Sequence, residues 1–302
     1  MKSLVIYHAH CLDGFTAAWA AWKKLGDTAD YVAAKYDDPP PDVTGREVFI
    51  VDFSYKRDVL EEMARTAKSI VVLDHHKTTK EDLASLPLAG DNHAHHAKVY
   101  EGHLALHSGP PLFALFDMER SGAMIAWEWF NPDDSVPWLI RYVQDRDLWQ
   151  FQYDETKNIN AALFSYDFDF ALWSELQSYC GELGELGEEG EVLLRAHDKA
   201  VREMCCHEFR TVRFFSSLNA EEIHVPFINC PASLASDVGN VLALKHPVVA
   251  LYFDTATHRA VSLRSSKENP SHLDVSAIAA GFGGGGHKHA AGFRVPLNWE
   301  GE

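Results

Sequence analysis

Histidine and aspartate recur at the ends of apolar runs in the first quarter of this 302-residue chain. "SLVIY" (3–7) leads into His8, His10 and Asp13, "EVFIVDF" (47–53) carries Asp52, and "SIVVLDHH" (69–76) ends in Asp74, His75 and His76. Imidazoles and carboxylates together suit Mn²⁺, Zn²⁺ or Fe²⁺ better than calcium, whose ligands are almost all oxygens. A single aspartate at a strand end is commonly a helix N-cap, a role open to Asp52 ahead of "FSYKRD". A single histidine there is more often a satisfied polar contact than a ligand. The coincidence of three strand exits carrying such groups is what points to a metal site.

These residues meet only if the strands share a sheet edge. "YVAAKY" (31–36) reads as a further strand, and helical patterns over 14–26 and 55–67 alternate with the strands. Such alternation predicts a parallel sheet with helices on both faces, whose C-terminal strand ends form one ligand-binding edge. Helices are also expected at 121–130 and 136–144. The stretch "CGELGELGEEGEVLLRAHDKAVREM" (180–204) passes from a Gly/Glu repeat into a long helix and marks a boundary. A smaller α/β unit follows, with strands at 211–215, 223–229, 248–253 and 259–265 and helices at 233–245 and 273–281. The expected organisation is an α/β catalytic domain over 1–155, a helical linker over 156–205 and a second α/β domain over 206–302.

The length fits two domains. A formal charge of −17 repels polyanions, and no dense Lys/Arg cluster offers a face for long DNA or RNA. A small anionic substrate handled through metal ions is the better match. No apolar run approaches the about 18 residues of a membrane span, and the start "MKSLVIYHAH" does not read as a signal peptide. Five cysteines without zinc-type spacing suit a reducing cytoplasm.

In this order, "HAHCLDG" (8–14), "VDF" (51–53), "VLDHHKT" (72–78) and "YVQDRDLW" (142–149) resemble the four motifs of the DHH phosphoesterase superfamily. "VSLRS" (261–265) followed by "GGGGHKHAAGF" (283–293) resembles its accessory DHHA1 domain, in the nanoRNase-like or cyclic-nucleotide phosphodiesterase-like branch. The resemblance implies a two-ion centre, usually manganese, with Mg²⁺, Zn²⁺ or Fe²⁺ as alternatives, in a cleft that the second domain closes. It implies that His8 and Asp13 bind one ion, that Asp52 and Asp74 are shared, and that His75 with Asp145 completes the second. Asp147 competes with Asp145, which is preferred because it directly follows the apolar "WLIRYV". His76 would act beside the scissile phosphate. The first motif departs from the family in lacking one aspartate. His10 is expected to replace it as a neutral nitrogen ligand; Cys11, as thiolate, would instead favour zinc or iron.

In the second domain, glycines 283–286, with Gly284, Gly285 and Gly286 foremost, leave backbone N–H groups open to a phosphate, and His287, Arg264 and Ser265 add donors. "SDVGN" (236–240) is expected to open a helix beside the cleft, where Asp237 faces the cleft or equally serves as a cap. The histidines at 93, 95, 96, 103 and 107 match no metal spacing and suggest a variable surface loop over 91–109. Of the aromatic residues, Trp149 is the first choice for substrate contact and the rest for core. The expected activity is metal-dependent hydrolysis of short oligoribonucleotides or linear dinucleotides, with a homodimer as one arrangement open to the chain. The alternatives are a phosphomonoesterase on 3′-phosphoadenosine 5′-phosphate or pyrophosphate, and a non-catalytic nucleotide sensor.

Overall fold

The apolar runs become strands β1 (Ser3–His8), β2 (Ala29–Ala34), β3 (Glu47–Val51), β4 (Ser69–Asp74) and β5 (Leu112–Phe116) in the computed structural model, which describes residues 1–35, 38–106, 111–178, 183–215 and 222–301. They form one all-parallel sheet in the order β2-β1-β3-β4-β5. Every residue of β4 is buried, as a strand covered on both faces requires. Val5, Phe49, Val51, Val71 and Leu73 point into one core, and Leu4, Ile6, Val48, Ile50, Ile70 and Val72 into the other.

The helices of this unit are α1 (Leu12–Leu25), α2 (Arg57–Met63), α3 (Lys77–Asp82), α4 (His93–Leu106), α5 (Gly122–Phe130), α6 (Trp138–Asp147), α7 (Thr156–Ser165), α8 (Phe170–Ser178) and α9 (Leu183–Cys206). Helices α1, α5 and α6 line the first core, and Leu60 and Met63 of α2 line the second. Strand order reverses between β1 and β3, the place where open α/β sheets bind ligands. The register sets Tyr7 opposite Val51 and Val51 opposite Leu73. The next residue of each strand, His8, Asp52 and Asp74, therefore stands abreast at that edge.

The chain divides into Met1–Leu194 and Arg195–Glu302, a division that falls inside α9. The Gly/Glu repeat is helical from Leu183 onward. Gly190 is required there, because a Cβ would sit 1.8 Å from the Asn158 carbonyl oxygen of α7. The second unit carries β6 (Arg210–Phe215), β7 (Glu222–Asn229), α10 (Ala232–Ala243), β8 (Val249–Asp254), β9 (Arg259–Arg264), α11 (Val275–Gly281), β10 (Gly285–His287) and β11 (Ala290–Val295). Its sheet runs β10-β11-β9-β8-β7-β6, antiparallel except between β7 and β8. Helix α11 covers one face and α10 the other. Asp237 lies within α10 rather than at its start, paired with His197 Nε2 at 3.1 Å.

The histidine-rich stretch corrects the reading of a surface loop: it forms α4, with His107 outside the described residues. His93 packs on Phe49, Trp129 and Phe130, and His96 on Phe113 and Trp129, so these imidazoles serve as aromatic packing units. Strand β5, which the sequence reading passed over, lies beneath this helix and supplies Phe113.

His96 is buried with Nε2 unpartnered among the described residues, and burial, followed by nearby His93, pushes its pKa down to about 4. The folded state therefore resists a proton that the unfolded chain accepts below about pH 6.5, and stability falls as pH drops from there toward 4. Replacing His96 with Leu should remove this slope. Between pH 7.5 and pH 5, urea unfolding should show the variant gaining about 2 kcal/mol relative to the wild type. Parallel losses in the two proteins would contradict a neutral buried His96.

Candidate metal centre

Asp52 follows β3 with φ at +54°, a left-handed conformation that costs a non-glycine residue energy and is retained where geometry demands it. Its N–H donates to the Leu73 carbonyl at 3.0 Å, which ties the turn to β4. The two carboxylate oxygens then face different partners. Oδ1 lies 3.1 Å from His75 Nε2, whereas Oδ2 lies 3.6 Å from both His8 Nδ1 and Cys11 Sγ. His75 Nε2 is also 3.8 Å from Asp13 Oδ2 and 3.7 Å from Asp147 Oδ2. Three donor groups result within this unit, His8/Cys11/Asp52, Asp13/His75/Asp147 and Asp52/Asp74/His75/His76, with the Asp52–His75 contact joining them.

Asp13 is held by the N-terminus of α5: Gly122 N–H donates to Oδ2 at 2.6 Å and Ala123 N–H to Oδ1 at 3.1 Å. This arrangement suits a carboxylate, since helix N-termini carry partial positive charge. Ser121 caps α5 and Gly122 lets it approach, because a Cβ there would lie 2.4 Å from that of Asp52. Sequence reasoning missed both residues; "RSGAM" after a strand was the available signal. Gly14 has the matching role on α1, where a Cβ would meet the His8 carbonyl oxygen at 2.5 Å.

Asp74 Oδ1 accepts from His75 N–H at 2.8 Å and pairs with His76 Nδ1 at 2.7 Å. Its Oδ2 is buried and has no hydrogen-bond partner among the described residues. Burial would raise the Asp52 carboxyl, yet hydrogen bonds from His75 and His8 hold it well below the usual range. Asp74 is likewise held low against burial, by His76. Burial and then the charges of Asp52 and Asp147 push Asp13 well up. The acids drive the imidazoles upward despite burial: His75 is pushed up to about 10, chiefly by Asp52 and Asp147, and His76 is raised by Asp74. The buried acids thus favour a proton on His75 when no cation is present.

Not every expected residue reaches this centre. His10 is exposed with φ at +56°, and Cys11, not His10, joins the His8/Asp52 group. Asp145 is buried elsewhere: it accepts from Gln152 N–H at 2.9 Å, from Tyr153 N–H at 3.2 Å and from the Thr156 hydroxyl, fixing the turn after α6. Asp147, two residues on, is the one beside His75. Trp149 is 36% exposed, with the Arg146 guanidinium 4.2 Å from its ring centre.

In the second unit, Arg264 donates to the Leu263 carbonyl and to Ser236 Oγ, both at 2.9 Å. Ser265 is buried against the Leu273 carbonyl and His289, so it is not presented to a ligand. Gly285, Gly286 and His287 pair with β11, and a Cβ at Gly284 would lie 2.0 Å from the Gly292 carbonyl oxygen. Close packing of this hairpin is thus one reason for its glycines.

No family model matches the sequence. An uncharacterized protein of Acanthamoeba polyphaga mimivirus is 26% identical over 312 residues, with 96% of this chain matched; the chain spans 66% of that protein's length, just under two thirds. A solved DHH domain, from a protein described as a member of a family of ribosomal proteins, matches at a TM-score of 0.52 and 14% identity, over 96% of this chain and 82% of its own. The chain has the DHH-domain fold. A pGpG-specific phosphodiesterase from Vibrio matches more loosely, at a TM-score of 0.43 and 14% identity over 98% of this chain and 94% of its own.

Nitrogen, carboxylate and sulfur donors, together with the orphaned Asp74 Oδ2, fit divalent transition-metal ions. Ligation requires neutral imidazoles, so binding must expel the protons on the cluster. Calorimetric titration of the metal-free chain with Mn²⁺ at pH 7.5 should give heats that differ between Tris and HEPES, showing net proton release. Equal heats after correction for dilution would contradict a protonated His75.

Proposed function

We propose that this chain is a divalent-metal-dependent phosphoesterase that hydrolyses phosphodiester bonds in short oligoribonucleotides or linear dinucleotides. The observation that carries the reading is Asp52, with a metal-competent donor group on each carboxylate oxygen. The DHH fold and the charge of −17, which disfavours long polyanions, support it. His8 and Asp52 would hold one ion, and Asp13, Asp52, His75 and Asp147 the other. When bound, two ions such as Mn²⁺ supply Lewis acidity and charge neutralisation for phosphoryl transfer.

The protein's own groups do the positioning. Asp13 is oriented by α5, and Asp52 by its left-handed turn. Asp74 engages His76 Nδ1, which supports the reading that the ring is oriented with Nε2 left to act on the leaving oxygen. Arg264 and His287 of the second unit are proposed as donors to a substrate phosphate.

Asp147→Asn and Asp145→Asn separate ligand from scaffold. Asp147→Asn should lower kcat/KM by about 100-fold or more, beyond the usual loss for an outer partner of a metal ligand. Asp145→Asn should keep metal stoichiometry and cost about 1.5–3 kcal/mol of stability by weakening charge-assisted hydrogen bonds. The reverse pattern, from metal analysis and unfolding curves, would return the ligand role to Asp145.

Labelled RNAs from dinucleotide to a few tens of nucleotides, with cyclic and linear dinucleotides, 3′-phosphoadenosine 5′-phosphate and pyrophosphate, test the substrate with Mn²⁺ present. The expected result is fastest hydrolysis of the shortest linear RNAs. Preference for the monoester or pyrophosphate would replace the substrate assignment, and hydrolysis of none would overturn the enzymatic reading.

A further inference from the structure

Cys11 stands between β1 and α1, half-buried, with its backbone extended at φ −115° and ψ 132°. Its Sγ and His8 Nδ1 converge on the same oxygen, Asp52 Oδ2, each at 3.6 Å. Donors sharing one tetrahedral ion at about 2.0–2.3 Å lie about 3.3–3.8 Å from one another. The nitrogen, sulfur and oxygen of this trio all fall within 4.8 Å of each other. Asp52 of this trio also belongs to the group Asp52/Asp74/His75/His76, in which Asp74 Oδ2 is fully buried and unpartnered among the described residues, an independent sign of a cation beside Asp52. The second donor group, Asp13/His75/Asp147, contains no sulfur.

We propose that Cys11 is a thiolate ligand of the ion held by His8 and Asp52, and that it divides the centre into a soft half and a hard half. The inference rests on the two-ion reading above. A sulfur, a nitrogen and a carboxylate oxygen favour Zn²⁺, Fe²⁺ or Co²⁺, whereas two carboxylates and an imidazole keep Mn²⁺ competitive in the other half. Binding breaks the S–H bond and forms an S–metal bond; the proton leaves to solvent and no electron is transferred. The left-handed turn at His10 explains why the cysteine and not the preceding histidine takes this place.

The test is anaerobic titration of the metal-free full-length chain with Co²⁺, followed by absorbance and metal analysis. Two equivalents should bind and produce a near-ultraviolet thiolate-to-cobalt charge-transfer band. Cys11→Ser should lose the band, while Cys205→Ser, Cys206→Ser and His10→Ala should retain it. Cys11→Asp should bind two ions without the band and shift competition between Zn²⁺ and Mn²⁺ toward Mn²⁺, which keeps the test readable if the serine variant folds poorly. Two bound ions with no band, or a band that survives Cys11→Ser, would overturn the thiolate while leaving the two-ion centre. Failure of the wild type to bind cobalt would overturn both.

Discussion

A carboxylate buried between two donor groups is the constraint around which this fold is arranged. Asp52 is buried, backbone-strained and within reach of His75 on one oxygen and of His8 and Cys11 on the other. In low dielectric such a group needs positive charge nearby, and a protonated His75 supplies it when no cation is bound. A divalent ion meets the same need with more charge in less space. The elevated His75 and the depressed Asp52 are two views of that one electrostatic demand.

The surrounding elements hold the cluster in register. Parallel pairing brings His8, Asp52 and Asp74 to the edge beside the β1/β3 reversal. Helix α5 presents backbone N–H groups to Asp13 and packs against Asp52, an approach that only a glycine at 122 permits. Helix α1 packs equally closely on His8 through Gly14. The space around the metal-seeking side chains is therefore set by close backbone contacts from two helices that share one face of the sheet, and Cβ atoms at these two glycines would push it apart.

What could be read from the sequence follows from what sequence patterns encode. Apolar runs ending in histidine and aspartate specify strands, and a parallel sheet places their ends together, so His8, Asp13, Asp52, Asp74, His75 and His76 were legible as a group. Assignments that hang on a single backbone turn were not. His10 and Cys11 are exchanged by one left-handed residue at the end of β1. Asp145 and Asp147 sit two apart on α6, and left-handed Trp149 and Phe151 shape the turn that binds Asp145 and leaves Asp147 beside His75. Helix α4 escaped notice because its histidines bury like aromatic residues, a role that polarity scales hide. Ser121 and Gly122 were missed because a close helix approach has no periodic signature.

The central claim is that Asp52 links two ions. Metal content of the purified chain, wild type against Asp52→Asn, measured after equilibration with excess Mn²⁺ and removal of free ion, tests it most directly. The account predicts two ions per chain in the wild type and loss of both in the variant, with the fold retained by circular dichroism. A folded Asp52→Asn chain that still holds two ions would contradict it.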